Sequence, residues 1–237
     1  MSFSAPTRTA VVTGGGSGLG LEIVETLVNG GWTVHVLARN ADNLAVARER
    51  LGERFRSHVV DVADYNQVAD LFRELALDGE EIDLLVNNAA RFKMAPFIEC
   101  TAADITAIVD TNLKGTMYCS HQVIPLLKRP GGRIVNVASV AATHGIADQA
   151  IYCASKYGVD GFAEALGQEL IADGIAVTTV YPGGIDTPLW NASNPYPGDI
   201  SRTLRAGDVA GVVRYVADMP PRVICKKIVL FPRNEWH

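Results

Sequence analysis

The chain has 237 residues, 48% of them hydrophobic, and its 26 acidic and 21 basic residues leave a formal charge of −5. Such a chain is globular, long enough to bury a proper core, and without a Lys/Arg run it offers no electrostatic footprint for nucleic acid or an anionic membrane. No apolar run approaches the ~18 residues of a membrane span, the first residues show no apolar signal core, and Cys100, Cys119, Cys153 and Cys225, far apart without C-x-x-C spacing, read as reduced thiols of a cytoplasmic protein.

Short apolar runs alternate with amphipathic stretches along the chain. The period predicts a strand over Thr9–Thr13, a helix over Gly18–Asn29, a strand over Thr33–Ala38, a helix over Ala41–Leu51, a strand over Ser57–Val60 and a helix over Tyr65–Leu77. A strand over Ile82–Asn87, a long helical region over Ala102–Leu127, a strand over Arg133–Ala138, a helix from about Gln149 to Ala172 and a strand over Ala176–Tyr181 come next. A helix near Asp208–Ala217 and a strand over Lys227–Phe231 close the pattern. Alternating elements, with strands apolar on both faces, imply parallel pairing under helices on both sides: a doubly wound α/β sheet, mainly parallel, of seven strands. No linker, charge block or repeat divides it, so residues 1–237 read as one domain. Only 183–205 lacks a regular period; its Pro188, Pro195, Pro197 and Gly198 beside Trp190 and Tyr196 suggest a functional lid.

The first strand runs into Thr13-Gly14-Gly15-Gly16-Ser17-Gly18-Leu19-Gly20, which opens a helix. Glycines let a backbone approach a pyrophosphate, and free N–H groups with the helix dipole meet its charge. A turn that binds nothing is the alternative, but its place after the first strand of an α/β chain favours a Rossmann-type nucleotide site. A P-loop is excluded, since no Gly-Lys-Ser/Thr follows. The second strand ends in Arg39, with no carboxylate beside it in sequence. A guanidinium fork suits a 2′-phosphate, a pairing worth about 1.5–3 kcal/mol or roughly tenfold to hundredfold, so NADP is favoured over NAD. A solvated surface arginine is the competing reading.

Tyr152 and Lys156 lie four residues apart on a predicted helix, one turn apart on one face. A tyrosine titrates near 10 and needs help to exchange protons at neutral pH, which a neighbouring ammonium can give. Alone, Y-x-x-x-K is a weak signal. Ser139 follows an apolar strand, at the sheet edge where open α/β folds bind ligands; there it can donate to a carbonyl oxygen, or simply cap a turn. The five histidines, His35, His58, His121, His144 and His237, form no H-E-x-x-H or close Cys/His cluster, so no metal site is expected.

Together these residues resemble the short-chain dehydrogenase/reductase family in its compact, single-domain branch. The resemblance rests on the turn at Thr13–Gly20, Asp61-Val62 after the third strand, Asn87-Asn88-Ala89 after the fourth, Asn112, Ser139, Tyr152 with Lys156, and Pro182-Gly183-Gly184-Ile185-Asp186-Thr187 after the sixth. It implies hydride transfer between NADP(H) and a ketone or secondary alcohol. Tyr152 would be the general acid or base, Lys156 would lower its pKa and hold the nicotinamide ribose, Ser139 would orient the carbonyl, and Asn112 would support a water linking Lys156 to solvent. Cofactor contacts would come from Gly14, Ser17, Gly18, Leu19, Gly20, Arg39, Asp61, Val62, Asn88, Ala89, Tyr152, Lys156, Pro182, Gly183, Ile185 and Thr187, with Asp61 and Val62 at adenine, Asn88 near its ribose, and Ile185 and Thr187 at the carboxamide.

Two departures stand out. Ala90 replaces the usual glycine after Asn-Asn-Ala, and the C-terminal stretch Val223–Pro232 lacks the common Thr-Gly…Asp-Gly-Gly ending. The rival substrate is a 3-oxoacyl thioester; a rival of another class is a scaffold that binds NADP(H) without turnover, disfavoured because Ser139, Tyr152, Lys156 and Asn112 are all present. Phe92, His144, Trp190 and Tyr196 are candidates for the pocket wall and lean toward an aromatic or bulky apolar ketone. The resemblance also implies a homodimer or homotetramer paired through the long helices, for which Phe162–Leu170 offers small and apolar residues. Trp236 is expected either against a neighbouring copy or in a frayed terminus.

Overall fold

The structure is a computed structural model that describes residues 8–233; Trp236 lies outside the described residues. Nine strands and seven α-helices are found among these residues. The nucleotide half of the chain gives β1 (Thr9–Thr13), α1 (Gly18–Asn29), β2 (Thr33–Ala38), α2 (Ala41–Leu51), β3 (Phe55–Val59), α3 (Tyr65–Leu77) and β4 (Leu84–Asn87). The remainder gives α4 (Ala102–Val109), α5 (Gly115–Val123), β5 (Arg133–Val137), α6 (Ala150–Leu170), β6 (Ala176–Pro182), β7 (Ile185–Asp186), β8 (Leu204–Arg205), α7 (Ala206–Ala217) and β9 (Lys227–Leu230).

Seven strands form one parallel sheet in the order β3-β2-β1-β4-β5-β6-β9. The chain winds outward from β1 in one direction and from β4 in the other, so the crevice between β1 and β4 is the topological switch point. The two-residue period of a strand sorts the core: Ala10 and Val12 face the layer of α1, α2 and α7, while Val11 between them faces α3, α5 and α6. All five residues of β1 and of β5 are buried, as a central parallel strand requires, and of the seven strands only the edge strands β3 and β9 carry exposed residues.

The long helical region predicted over Ala102–Leu127 is not continuous. α4 passes into a π-turn at Asp110–Lys114, α5 follows, and a 3-10 turn containing Pro125 ends the segment at Leu126. Two contacts fix the interruption: a Cβ on Gly115 would stand 2.8 Å from Val62 Cγ2, and the Thr116 hydroxyl donates to the Asn112 carbonyl at 2.8 Å, a back-bond that bends helices. Ile82, read as strand, forms an isolated bridge with Leu127, and β4 begins at Leu84. The 183–205 segment is less irregular than its composition suggests, because β7 and β8 pair across it as a parallel ladder. The segment Phe162–Leu170 turns Ala163, Leu166 and Leu170 into the core, so these residues are spent on the fold. The exposed face of α6 carries Ala154, Tyr157, Gly161 and Ala165 instead.

Candidate active site

One cleft of about 710 Å³ runs across the C-terminal ends of the strands, from α2 at one end to the 183–205 segment at the other. On its wall α1 begins after Ser17, whose side chain makes no capping hydrogen bond, so the helix's first amides face the cleft unclaimed. The turn before it is fixed by its glycines. Gly14 sits at φ +67°, and a Cβ on Gly20 would approach the Gly14 carbonyl oxygen to 2.2 Å. The cradle therefore exists only because those side chains are missing.

Thr13 and Asn88 lace this turn to β4. The Thr13 hydroxyl accepts from the amides of Asn88 and Ala89, each at 3.0 Å, and Asn88 Nδ2 donates to the carbonyls of Thr13 at 3.0 Å and Gly14 at 3.4 Å. The resemblance implies a contact near the adenine ribose for Asn88; its Nδ2 is bound to the turn itself, and the residue borders the cleft. Ala90 is unstrained, because Asp148 is the only non-glycine residue with positive φ among the described residues.

Every expected cofactor residue borders this cleft: Gly14, Ser17, Gly18, Leu19, Gly20, Arg39, Asp61, Val62, Asn88, Ala89, Tyr152, Lys156, Pro182, Gly183, Ile185 and Thr187. Arg39 needs one correction. The sequence shows no carboxylate beside it, but the parallel pairing of β2 with β3 brings Asp61 Oδ2 to 3.8 Å from its Nη1. Both groups are partly exposed, so the attraction is weak and leaves the guanidinium able to turn to another anion. Asn40 and Asn43, also on the cleft wall, were missed by sequence reasoning; Asn40 caps α2 by accepting from the Asn43 amide at 2.9 Å.

Ser139, Tyr152 and Lys156 converge at the middle of the cleft. Ser139 caps a short turn, its Oγ accepting from the Ala141 amide at 3.1 Å, and its hydroxyl stands beside the Tyr152 phenol and favours the phenolate. It also lies 3.5 Å from the Pro182 carbonyl. Lys156 is buried, donates to the Val137 carbonyl at 2.8 Å, and holds its Nζ 5.6 Å from the centre of the Tyr152 ring. Burial pulls its pKa down to about 8. Burial pushes the Tyr152 phenol up to about 12, against the Ser139 hydrogen bond, which favours the phenolate, and with the neighbouring Cys153 adding to the rise. The expected lowering by Lys156 is absent from the protein alone, where desolvation dominates and the ammonium is bound to a carbonyl.

Asn112 does not border the cleft. It is buried in the π-turn, where Oδ1 accepts from the Arg91 amide at 2.7 Å and Nδ2 donates to the Arg91 carbonyl at 2.9 Å and to Ser155 Oγ at 3.0 Å. Ser155 donates in turn to the Tyr152 carbonyl at 2.7 Å. Asn112 thus ties the loop after β4 to the helix that carries Tyr152.

Beyond Tyr152 an aromatic chain forms the wall: Tyr152 meets Phe92, Phe92 meets Trp190 and Trp190 meets Tyr196, each edge to face with centroids 5.0 Å apart. His144 borders the same space, as do Ile146, Gln149 and Leu189, three residues that composition and motif did not single out. The 183–205 segment is folded down: Asn194 Oδ1 accepts from the Met94 amide at 2.9 Å, and Pro188 lies 3.3 Å from where a Gly18 Cβ would be. Among the described residues, no His, Cys, Asp or Glu cluster could hold a metal, and no helix is long and apolar enough to cross a membrane.

Comparison with known proteins agrees with this architecture. The short chain dehydrogenase family pattern matches residues 8–197. The chain belongs to this family. An uncharacterized oxidoreductase of Staphylococcus saprophyticus is 31% identical over 95% of this chain and 97% of its own. A 2-dehydro-3-deoxy-L-rhamnonate dehydrogenase (NAD(+)) of a Sphingomonas species is 34% identical over 77% of this chain and 74% of its own. Among solved structures, a short chain dehydrogenase of Burkholderia cenocepacia in complex with NADP superposes with a TM-score of 0.83 at 30% identity, covering 94% of this chain and 96% of that one. The chain is accordingly an oxidoreductase of the short-chain family, a class that binds a nicotinamide cofactor.

Proposed function

We propose that this short-chain dehydrogenase is an NADPH-dependent carbonyl reductase, working in reverse as a secondary alcohol dehydrogenase. The observation that carries the reading is the convergence of Ser139, Tyr152 and Lys156 midway along a cleft whose far end holds an uncapped helix N-terminus and Arg39. The residues fit a dinucleotide: the side-chain-free turn through Gly14 and Gly20 and the uncapped start of α1 suit a pyrophosphate, and Arg39 suits a 2′-phosphate.

When bound, the cofactor supplies the hydride. The protein's part is to orient and to move a proton. Ser139 donates a hydrogen bond to the substrate oxygen and favours the charge that develops there. Tyr152, neutral because burial holds its pKa near 12, gives that oxygen its proton. Lys156, with a pKa brought down to about 8, is suited to returning a proton to the phenolate near neutral pH. Asn112 acts by position, holding Arg91 and, through Ser155, the first turn of α6.

The aromatic wall favours a ketone with a bulky apolar or aromatic group. The exposed strip of Ala154, Tyr157, Gly161 and Ala165 supports pairing of two copies through α6, and the four free cysteines suit a reduced cytoplasmic compartment. The test is NADPH and NADH oxidation over aryl ketones, diketones, aldehydes, sugars and 3-oxoacyl thioesters. Turnover with NADPH should fall at least ~100-fold in Tyr152→Phe, as loss of a general acid does, while NADPH still binds. Equal turnover with NADH would remove the cofactor preference, and sedimentation as a monomer would remove the pairing.

A further inference from the structure

Gln149 is the polar side chain on the substrate side of the cleft for which the fold has no use. It precedes α6 by one residue, is only 9% exposed, and borders the cleft. Its backbone is engaged: the amide donates to the Ile146 carbonyl at 3.3 Å, and the carbonyl accepts from the Cys153 amide at 2.8 Å. Its carboxamide makes no hydrogen bond to any described residue and does not cap the helix it precedes. Nor is it among the sealed, unsatisfied polar atoms of the interior, which include Asn87 Oδ1 and Asn136 Nδ2. An amide that is largely buried, unpartnered and still open to a cavity is stable only if whatever fills the cavity hydrogen-bonds it.

Its place relative to the chemistry narrows what that group is. Gln149 holds the cap position at the start of α6, three residues before Tyr152, and both side chains border the same cleft. The surroundings are apolar: Ile146 and Phe92 pack around Tyr152. Of the Lys and Arg residues that border the cleft, Arg39 lies at the nucleotide end and Lys156 is turned to the Val137 carbonyl, which leaves His144 as the one basic side chain on this wall. A neutral oxygen accepting from the carboxamide N–H is the group that fits.

We infer that Gln149 is a specificity-determining residue that recognises a second, neutral oxygen close to the reacting carbonyl, so that the substrates are bifunctional carbonyl compounds, diketones or keto esters, with their apolar part on the aromatic wall. The inference rests on the carbonyl-reductase reading and deepens it. Discrimination by a buried polar group is strong because an analogue lacking the matching group leaves the amide unpaired.

The experiment compares 1-phenyl-1,2-propanedione, ethyl benzoylacetate and the matched monoketone propiophenone, with NADPH, in the wild type, Gln149→Leu and Gln149→Glu. The expected result is a fall of about tenfold to hundredfold in kcat/KM on at least one bifunctional substrate in Gln149→Leu, with propiophenone changed by less than about twofold. Gln149→Glu, which keeps the length but loses the donor, should lose as much. Whether the diketone or the keto ester suffers more fixes the spacing of the second oxygen. Binding of each compound to the protein with NADP+, followed by quenching of tryptophan fluorescence, gives the same contrast without turnover. Equal losses on all three compounds, or none, would overturn the inference: the first would make Gln149 a support of the α6 terminus, the second a bystander. Tight NADPH binding with no turnover of any carbonyl by the wild type would instead overturn the reductase reading beneath it, and retained selective quenching in that case would still uphold recognition by Gln149.

Discussion

The two ends of the cleft are built by different means. At the nucleotide end the wall is main chain: a glycine turn, an uncapped helix N-terminus and strand ends, with Thr13 and Asn88 spending their polar atoms on holding the turn. At the substrate end the wall is side chain: Phe92, Trp190 and Tyr196 stacked edge to face, and a carboxamide with no partner among the described residues. A backbone cradle leaves little room for change at its glycines, whereas a side-chain wall can be rebuilt without disturbing the fold.

Acid should separate the two ends most. His35 on β2 is buried, its Nδ1 lies 3.0 Å from His58 Nε2 on β3, and Arg56, Glu74 and Glu80 surround the pair. Burial, His58 and Arg56 bring its pKa down to about 4, and burial lowers His58 as well. The unfolded chain therefore takes up protons from pH 6.5 downward while folded His35 does so only near 4, so stability is full above about 6.5 and lost progressively as pH falls to about 4, by about 3 kcal/mol from His35 alone. Urea midpoints across that range check this, and hydrogen exchange at pH 5 should show β2 and β3 opening before β5 and β6. Uniform exchange would break the comparison.

Gly20→Ala should come next. With its Cβ 2.2 Å from the Gly14 carbonyl, the methyl must displace the turn, costing about 1–3 kcal/mol in thermal or urea unfolding and at least tenfold in NADPH affinity by fluorescence titration. Arg39→Ser should leave stability unchanged and lower the ratio of NADPH to NADH kcat/KM by roughly tenfold to hundredfold, the worth of a charge-assisted pair of about 1.5–3 kcal/mol. The smallest effect is expected at the other end: Trp190→Ala removes edge-to-face contacts worth about 0.5–1.5 kcal/mol each, raising KM for aryl ketones by roughly twofold to tenfold with the NADPH affinity untouched. A loss of cofactor affinity there would show that the aromatic wall and the cradle are one unit.

Most strands and helices could be read from period alone, because a parallel sheet covered on both faces leaves continuous apolar runs such as Thr9–Thr13 and Arg133–Val137. The break after Val109 was not legible: its causes are the approach of Gly115 to Val62 and the pull of Arg91 on Asn112, contacts between segments far apart in sequence. The same holds for Asp61 beside Arg39, which exists only because two parallel strands end side by side. Ala163, Leu166 and Leu170 looked available to a partner because apolar spacing says that a face will be buried but not against what.

By itself the sequence determined the doubly wound sheet, the glycine turn and many of the residues gathered in the cleft, since these follow from local period, missing side chains and strand ends. It did not determine that Asn112 stands outside the cleft or that Asn40, Asn43, Ile146, Gln149 and Leu189 line it. Only the tertiary structure decided which polar groups are free to act. Asn88 and Asn112 turned out to be committed to the backbone, Lys156 to the Val137 carbonyl, and Gln149 to nothing among the described residues. A side chain's identity fixes how many hydrogen bonds it can make, and only the packed neighbours fix how many are already made.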